Sequence, residues 1–222
     1  MKQIKTFIML ALVALTTMGT MTACLGDESD NNAISAEEYR QSLASMSGSY
    51  SGKIRFYRPK TSYGQQYEKY DSTYTTWRVS TDSTITIRQF PVSKLDSAIV
   101  VPASDNSPAA TNAMTIREAI SKASPKDLKA YYFIPSKNFI VDAGIQFYVN
   151  PYVIEVPVTY GGSNHTLYFA FTSNYCGGTW TKSALTFEFN MQLYAICVDS
   201  ANESSKISST YVRNALLSCT AK

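Results

Sequence analysis

Seven consecutive odd positions are apolar or small: Leu185, Phe187, Phe189, Met191, Leu193, Ala195 and Cys197. Thr186, Glu188, Asn190 and Gln192 alternate with them. A period of two sends side chains to opposite faces of a strand. The run predicts a long strand with one core face and one wet face, of the length found in curved sheets and barrel walls. The same alternation recurs from Tyr50 to Arg58. There Tyr50, Ile54 and Phe56 face one way, and Ser51, Lys53, Arg55 and Tyr57 the other. Lys53, Arg55 and Arg58 read as a solvated strand face rather than an anion site. Strands are also expected at Ser72–Ser80 and Thr84–Phe90, joined by the turn Thr81-Asp82-Ser83, with Pro91 stopping the second. Residues 59–70 read as a polar, aromatic loop or hairpin tip.

Further along, Tyr131–Ile134 and Gly144–Val149 are short strand candidates. Tyr152–Tyr160 and His165–Thr172 flank Gly161-Gly162-Ser163-Asn164, which is a hairpin signature. Pro157 removes a ladder donor and marks an edge or bulge. Ile207–Cys219 fits a strand through Tyr211, Ala215, Leu217 and Cys219, or a helix through Val212, Ala215, Leu216 and Cys219. The strand is preferred because it would close the sheet.

Helical signals are few. Ser35-Ala36-Glu37-Glu38 is a capping box, and Tyr39, Leu43 and Met46 follow at helical spacing, predicting a helix over 36–46. Residues 92–127 change character and read as an insertion or crossover. Pro102–Asn112 looks like an exposed loop, with short helices over Val92–Val100 and Met114–Ala123. The expected fold is therefore mainly β. It is a single antiparallel β-barrel or two-sheet β-sandwich of about 8–10 strands with one to three short helices, over residues 35–222.

The chain opens differently. Lys2 and Lys5 precede an unbroken apolar run from Phe7 to Leu15, too short to span a bilayer, which reads as a signal peptide over residues 1–23. Met21-Thr22-Ala23-Cys24 resembles the bacterial lipobox. That resemblance implies cleavage before Cys24, lipidation of its thiol and acylation of its new amine, which gives durable membrane anchoring. Residues 24–34 then form a flexible acidic tether. Asp27, Glu28 and Asp30 in it resemble the export signal of surface-exposed Bacteroidetes lipoproteins. The expected location is the outer membrane, displayed outward or facing the periplasm.

Composition narrows the function classes. The chain has 222 residues, 45% hydrophobic and 17% charged, with a net charge of +3, so it is globular and too weakly charged overall to suggest nucleic acid. After Cys24, three cysteines remain: Cys176, Cys197 and Cys219. An oxidising envelope would allow one bridge with three possible pairings, Cys197–Cys219 being the pair neighbouring strands could bring together, while burial of all three as small hydrophobes is the other reading. No cofactor is implied, and no metal, because there is no C-x-x-C pair and a single histidine, His165. A Ser-His-Asp or Cys-His site would have to use His165, whose sequence neighbours offer no nucleophile motif. Glycosidase chemistry needs two carboxylates, but Glu155 and Glu188 sit at outward strand positions and read as solvated faces. A calcium site in the tether lacks EF-hand spacing.

Tyrosine is the unusual feature, with 16 against 10 Phe and 2 Trp. Tyr63, Tyr67, Tyr70 and Tyr74 cluster near one loop and form a candidate binding patch. Tyr131, Tyr132, Tyr148, Tyr152 and Tyr160 recur later. Tyrosine joins apolar area to a polar tip and suits exposed faces, including sugar-binding ones, though it also favours half-buried strands. The lipobox, the acidic tether, the helix leading into Gly48-Ser49-Tyr50-Ser51-Gly52, and Ser83–Pro91 together resemble an uncharacterised Bacteroidetes lipoprotein family known only as a domain of unknown function. The helix followed by Gly-x-Tyr is also similar to the opening of lipocalin-like barrels, with tyrosine in place of tryptophan. The resemblance carries no catalytic residues. The expected function is a non-enzymatic, lipid-anchored module that binds a glycan, a small apolar ligand or an envelope protein. A structural, pilus-associated subunit and a hydrolase are the alternatives.

Overall fold

The computed structural model describes residues 32–60, 66–172 and 176–221. Ile34–Lys222 make one compact unit, and a single apolar core runs through it. The signal region, Cys24 and the acidic residues of the tether lie outside the described residues.

Helix α1 (Ala36–Met46) starts at the predicted capping box: Ser35 Oγ accepts from the Glu38 N–H, and Glu38 reaches back to the Ser35 N–H. Three antiparallel strands follow, β1 (Gly48–Pro59), β2 (Tyr67–Val79) and β3 (Thr84–Phe90). The β2–β3 turn is held by Asp82, whose carboxylate accepts from the N–H and hydroxyl of Thr84. A 3₁₀ turn at Val92–Ala98 and helix α2 (Pro108–Ser121) form the insertion. Then come β4 (Lys126–Phe133), the two-residue β5 (Ile140–Val141) and β6 (Gly144–Pro151). The hairpin β7 (Ile154–Tyr160) and β8 (Ser163–Thr172) follows. The last strands are β9 (Gly177–Thr181), β10 (Thr186–Val198) and β11 (Ala215–Ala221).

The pairing order β1-β2-β3-β4-β6-β9-β10-β11 returns to β1, so eight strands close into an antiparallel barrel. This settles barrel against sandwich. β11 closes it, running from Gly52↔Ala221 to Tyr57↔Leu216 on one side and from Phe187↔Ala221 to Leu193↔Ala215 on the other. The strand reading of the final segment therefore holds from Ala215 on, while Ile207–Asn214, Tyr211 included, precedes the strand. The eleven strands among the described residues exceed the expected eight to ten: β5 is too short to show a period, and β9 opens on Gly177-Gly178, which hides it. Beyond the β9 pairing, β10 continues past the barrel and pairs with β8 instead.

Two parts of the strongest sequence pattern are corrected. Leu185 is not a core residue of β10: it has a φ of 51° and is 62% exposed in the turn before the strand. A bulge between Leu193 and Ala195 then reverses the alternation. Ile196 opposes Phe169, and Val198 opposes Leu167, on the core side, while Cys197 opposes Tyr168 on the other. A bulge adds one residue to one strand, and one residue is enough to swap the faces.

The insertion is also more helical than its composition suggests. Pro102–Asn112 is not one exposed loop, because α2 begins at Pro108. Ser107 Oγ caps the Ala110 N–H, and proline occupies the first helical turn. The buried stripe is Ala110, Ala113, Ile116 and Ile120, whereas Met114 is 48% exposed. β2 likewise starts at Tyr67, so Tyr67–Tyr70 of the expected loop are strand, while residues 61–65 lie outside the described residues.

The lumen is filled. Phe187 sits 4.9 Å from both Tyr50 and Phe147 between ring centroids, and Phe189 packs edge-on to Trp77 at 5.6 Å. α1 covers one end with Leu43 and Met46, and the Tyr50 hydroxyl donates to the Met46 carbonyl at 2.7 Å. Val92, Leu95, Ala98 and Ile99, all fully buried, close the other end beneath α2. Aromatic pairs at these distances add directional attraction to their area burial. The structure is thus a closed barrel led by a helix, with core side chains occupying its lumen.

Candidate binding site on the outer wall

With the lumen packed, the chemistry lies on the outside. β6, β9, β10 and β11 are neighbours in the ring, and their register sets outward residues side by side. Gln146 opposes Thr179, Thr179 opposes Glu188, and Glu188 opposes Thr220. One step along, Tyr148 opposes Gly177, and Asn190 opposes Ser218. Gly177 presents no side chain to this face, so the wall sinks between Tyr148 and Asn190. The result is an open recess of about 490 Å³. Its floor is polar (Gln146, Thr179, Glu188, Asn190, Ser218) and its rim is aromatic (Tyr148, Phe139).

The rim continues into a band of rings. Phe139 lies 5.5 Å from Tyr148, Tyr148 lies 5.6 Å from Phe133, and Phe133 stacks on Tyr131 at 6.2 Å. These are outward residues of β4 and β6, brought together by the Phe133↔Tyr148 pair, with Phe139 from the 3₁₀ turn before β5. Tyr148 and Tyr152 are each 45% exposed. Burial, with Tyr39 close by, pushes the Tyr131 hydroxyl up to about 12, so that ring is neutral at physiological pH. Amides, hydroxyls and one carboxylate beside exposed ring faces can hydrogen-bond a polyhydroxylated ligand while stacking on its apolar face.

Among the described residues, Tyr67, Tyr70 and Tyr74 of the expected patch do not share one exposed surface. Tyr63 lies outside the described residues. Tyr70 turns inward against Phe56 at 6.2 Å, donates to the Lys94 carbonyl, and has its hydroxyl pushed far up by burial. Tyr67 accepts from Gln192 Nε2 at 3.3 Å. Tyr74 alone stands out, 80% exposed, with the Lys53 ammonium 5.3 Å from its ring centre. A bulge beside Phe56 and Tyr57 leaves Tyr70 unpaired and helps separate these side chains.

The Cys197–Cys219 disulfide is also corrected: Cys176, Cys197 and Cys219 are all free and buried. Cys219 opposes Phe189, eight positions before Cys197 on β10, which is about 26 Å of strand. Burial raises all three thiols, and Cys219 the most, so they stay protonated.

His165 has a partner that its sequence neighbours did not reveal. Its Nδ1 lies 2.8 Å from Asp199 Oδ2, and its ring stacks on Tyr160 at 4.1 Å. Asp199 Oδ1 accepts from the Thr166 N–H at 2.9 Å. The pair borders an open groove of about 590 Å³ that includes Lys122, Ser124 and Thr159. Among the described residues no serine, threonine or cysteine side chain hydrogen-bonds to His165. The pair ties the start of β8 to the end of β10.

Fold and surface thus define a closed eight-stranded barrel with a solid core and a polar, aromatic-rimmed recess on its outer wall. Residues 45–198 match the family described as a domain of unknown function, DUF4840, and the chain belongs to that family. The match runs from the end of α1 through β10. No curated protein and no solved structure matches the chain.

Proposed function

We propose that this protein is a lipid-anchored binding module of the bacterial cell envelope. It takes a glycan in the recess between Tyr148 and Asn190 and performs no chemistry on it. The observation that carries the reading is the recess itself: side-chain amides, hydroxyls and Glu188 on its floor, with the rings of Tyr148 and Phe139 at its rim. The packed lumen favours an outer-wall ligand over a small apolar one. Glu188 is the one carboxylate in the lining, and hydrolysis by an acid pair needs a second within about 5–9 Å.

Gly177 supplies the test. Its Cβ would face open space apart from the Phe147 carbonyl at 3.3 Å and Tyr148 Cδ1 at 3.8 Å, so a side chain there fills the recess. A glycan array probed with residues 32–222 should give hits that Tyr148→Ala weakens at least tenfold and Gly177→Leu abolishes. Hits that survive both substitutions would remove the recess as the site. Anchoring is tested separately. Growth with labelled palmitate should mark the full chain and leave Cys24→Ala unmarked, and an unlabelled full chain would overturn it.

A further inference from the structure

The wall made by β1–β4 is basic; its centre lies across the barrel from the recess, and its β1 edge, where Arg55 opposes Ser218, adjoins it. β2 and β3 stand four places around the ring from β9 and β10. On the outer face of β1–β4 the register aligns Ser49, Arg78, Thr86 and Lys129 in one row. Arg88 is one step past inward-facing Ile87, and Lys53 and Arg55 oppose Tyr74 and Ser72. With about 4.8 Å between strands and about 7 Å between outward neighbours, five cations occupy a patch of about 20 by 15 Å. One carboxylate, Asp127, shares the face, and it accepts from the Gln89 N–H.

These cations are unspent. Lys53, Arg55, Arg78, Arg88 and Lys129 make no ion pair among the described residues. Arg55 donates to the Thr220 hydroxyl, and Lys53 sits over Tyr74. Elsewhere Arg58, Lys94, Lys137 and Lys206 each hold a carboxylate. Leaving like charges unpaired on one wall costs self-repulsion, which an anionic surface would offset.

We propose that this wall lies on the anionic headgroups of a membrane, holding the barrel with its recess turned outward. The choice of membrane rests on the lipid-anchored reading. A tether of 11 residues, Cys24 to Ile34, spans at most about 36 Å, so the headgroup layer is within reach of the domain. Tyr74, 80% exposed between the cations, is of the type that settles at a headgroup boundary. Lys and Arg near such a surface each strengthen binding by about fivefold, and salt weakens the effect.

Residues 32–222 contain the whole compact unit without Cys24, so the wall can be assayed without the anchor. In co-sedimentation at low salt the domain should bind vesicles with about one-third phosphatidylglycerol and ignore pure phosphatidylcholine. Combining Lys53→Gln, Arg78→Gln, Arg88→Gln and Lys129→Gln should cut binding more than about a hundredfold with an unchanged melting curve. Lys122→Gln, at the C-terminal cap of α2, should bind as the parent does. Equal binding to both vesicles, no binding to either, or an undiminished fourfold variant would overturn the proposal. Capture by polygalacturonate without vesicle binding would overturn it too and make the wall a glycan site. Gly177→Leu should leave vesicle binding intact, so a failed recess and a failed wall give different results.

Discussion

Gly178 and Phe147 share one space. They oppose each other across β6 and β9, and a methyl group built on Gly178 would fall into the Phe147 ring and onto the Glu188 carbonyl. The absent side chain lets the ring lie 4.9 Å from Phe187 in the middle of the lumen. Gly178→Ala should therefore destabilise the domain by about 1–3 kcal/mol through overpacking, read as a lower urea midpoint. Gly177→Ala, one residue away and facing outward, should change it by less than about 0.5 kcal/mol.

Trp77 is 1% exposed, and its indole N–H has no hydrogen-bond partner among the described residues. Its value is thus mostly area and its edge-on contact with Phe189. Trp77→Phe keeps an aromatic surface and removes the unsatisfied donor, so it should cost no more than about 1–2 kcal/mol. Trp77→Ala leaves a large cavity in a packed lumen and should cost about 3–5 kcal/mol. Equal losses in chemical denaturation would contradict this account.

The sequence displayed some of this plainly and hid the rest for identifiable reasons. β3 is legible residue for residue, because alternation, the Asp82 turn and Pro91 are all local signals. The β7–β8 hairpin is legible in place but not in bounds: the turn is Gly161-Gly162 alone, with positive φ at 58° and 78°, so Ser163 and Asn164 belong to β8 rather than to the turn. The reversal at Leu193–Ala195 was invisible, because a bulge is a property of pairing with β8 and not of β10 alone. Ser107-Pro108 did announce α2, but the Ser, Ala and Asn around it read as loop. The recess joins residues from four strands, Gln146 to Ser218, so no window of sequence contains it. Asp199 is 34 positions from His165, which is why the histidine looked unsupported.

Asp199 gives a pH prediction. Its hydrogen bond from His165 and then that from the Thr166 N–H hold its carboxyl below the usual aspartate range. A carboxyl lowered on folding adds stability above its unfolded value, about 4, and loses it as pH falls through the folded value. Asp199→Asn should therefore lower Tm at pH 7, with the difference from the parent shrinking below about pH 4. Thermal melts across that range check it, and a constant difference would mean the carboxylate charge is not involved.

The three thiols predict a simple count. Residues 32–222 should not react with a disulfide reagent when native and should release three equivalents after denaturation without reductant. One equivalent would reveal a disulfide. Cys219, fully buried in apolar surroundings, should tolerate Cys219→Ala far better than Cys219→Asp, whose carboxylate would have no partner there.

Closure by β11 also has a consequence for the order of events. Ile54 cannot find Cys219, nor Phe56 find Leu217, until nearly the entire domain has been made available. Contacts so remote along the chain are slow to form, because a long loop must be ordered before they return anything. Until then β1 and β10 each keep a bare edge, and the barrel has no ring. A sheet sealed by β11 thus has a delay in closure written into its topology.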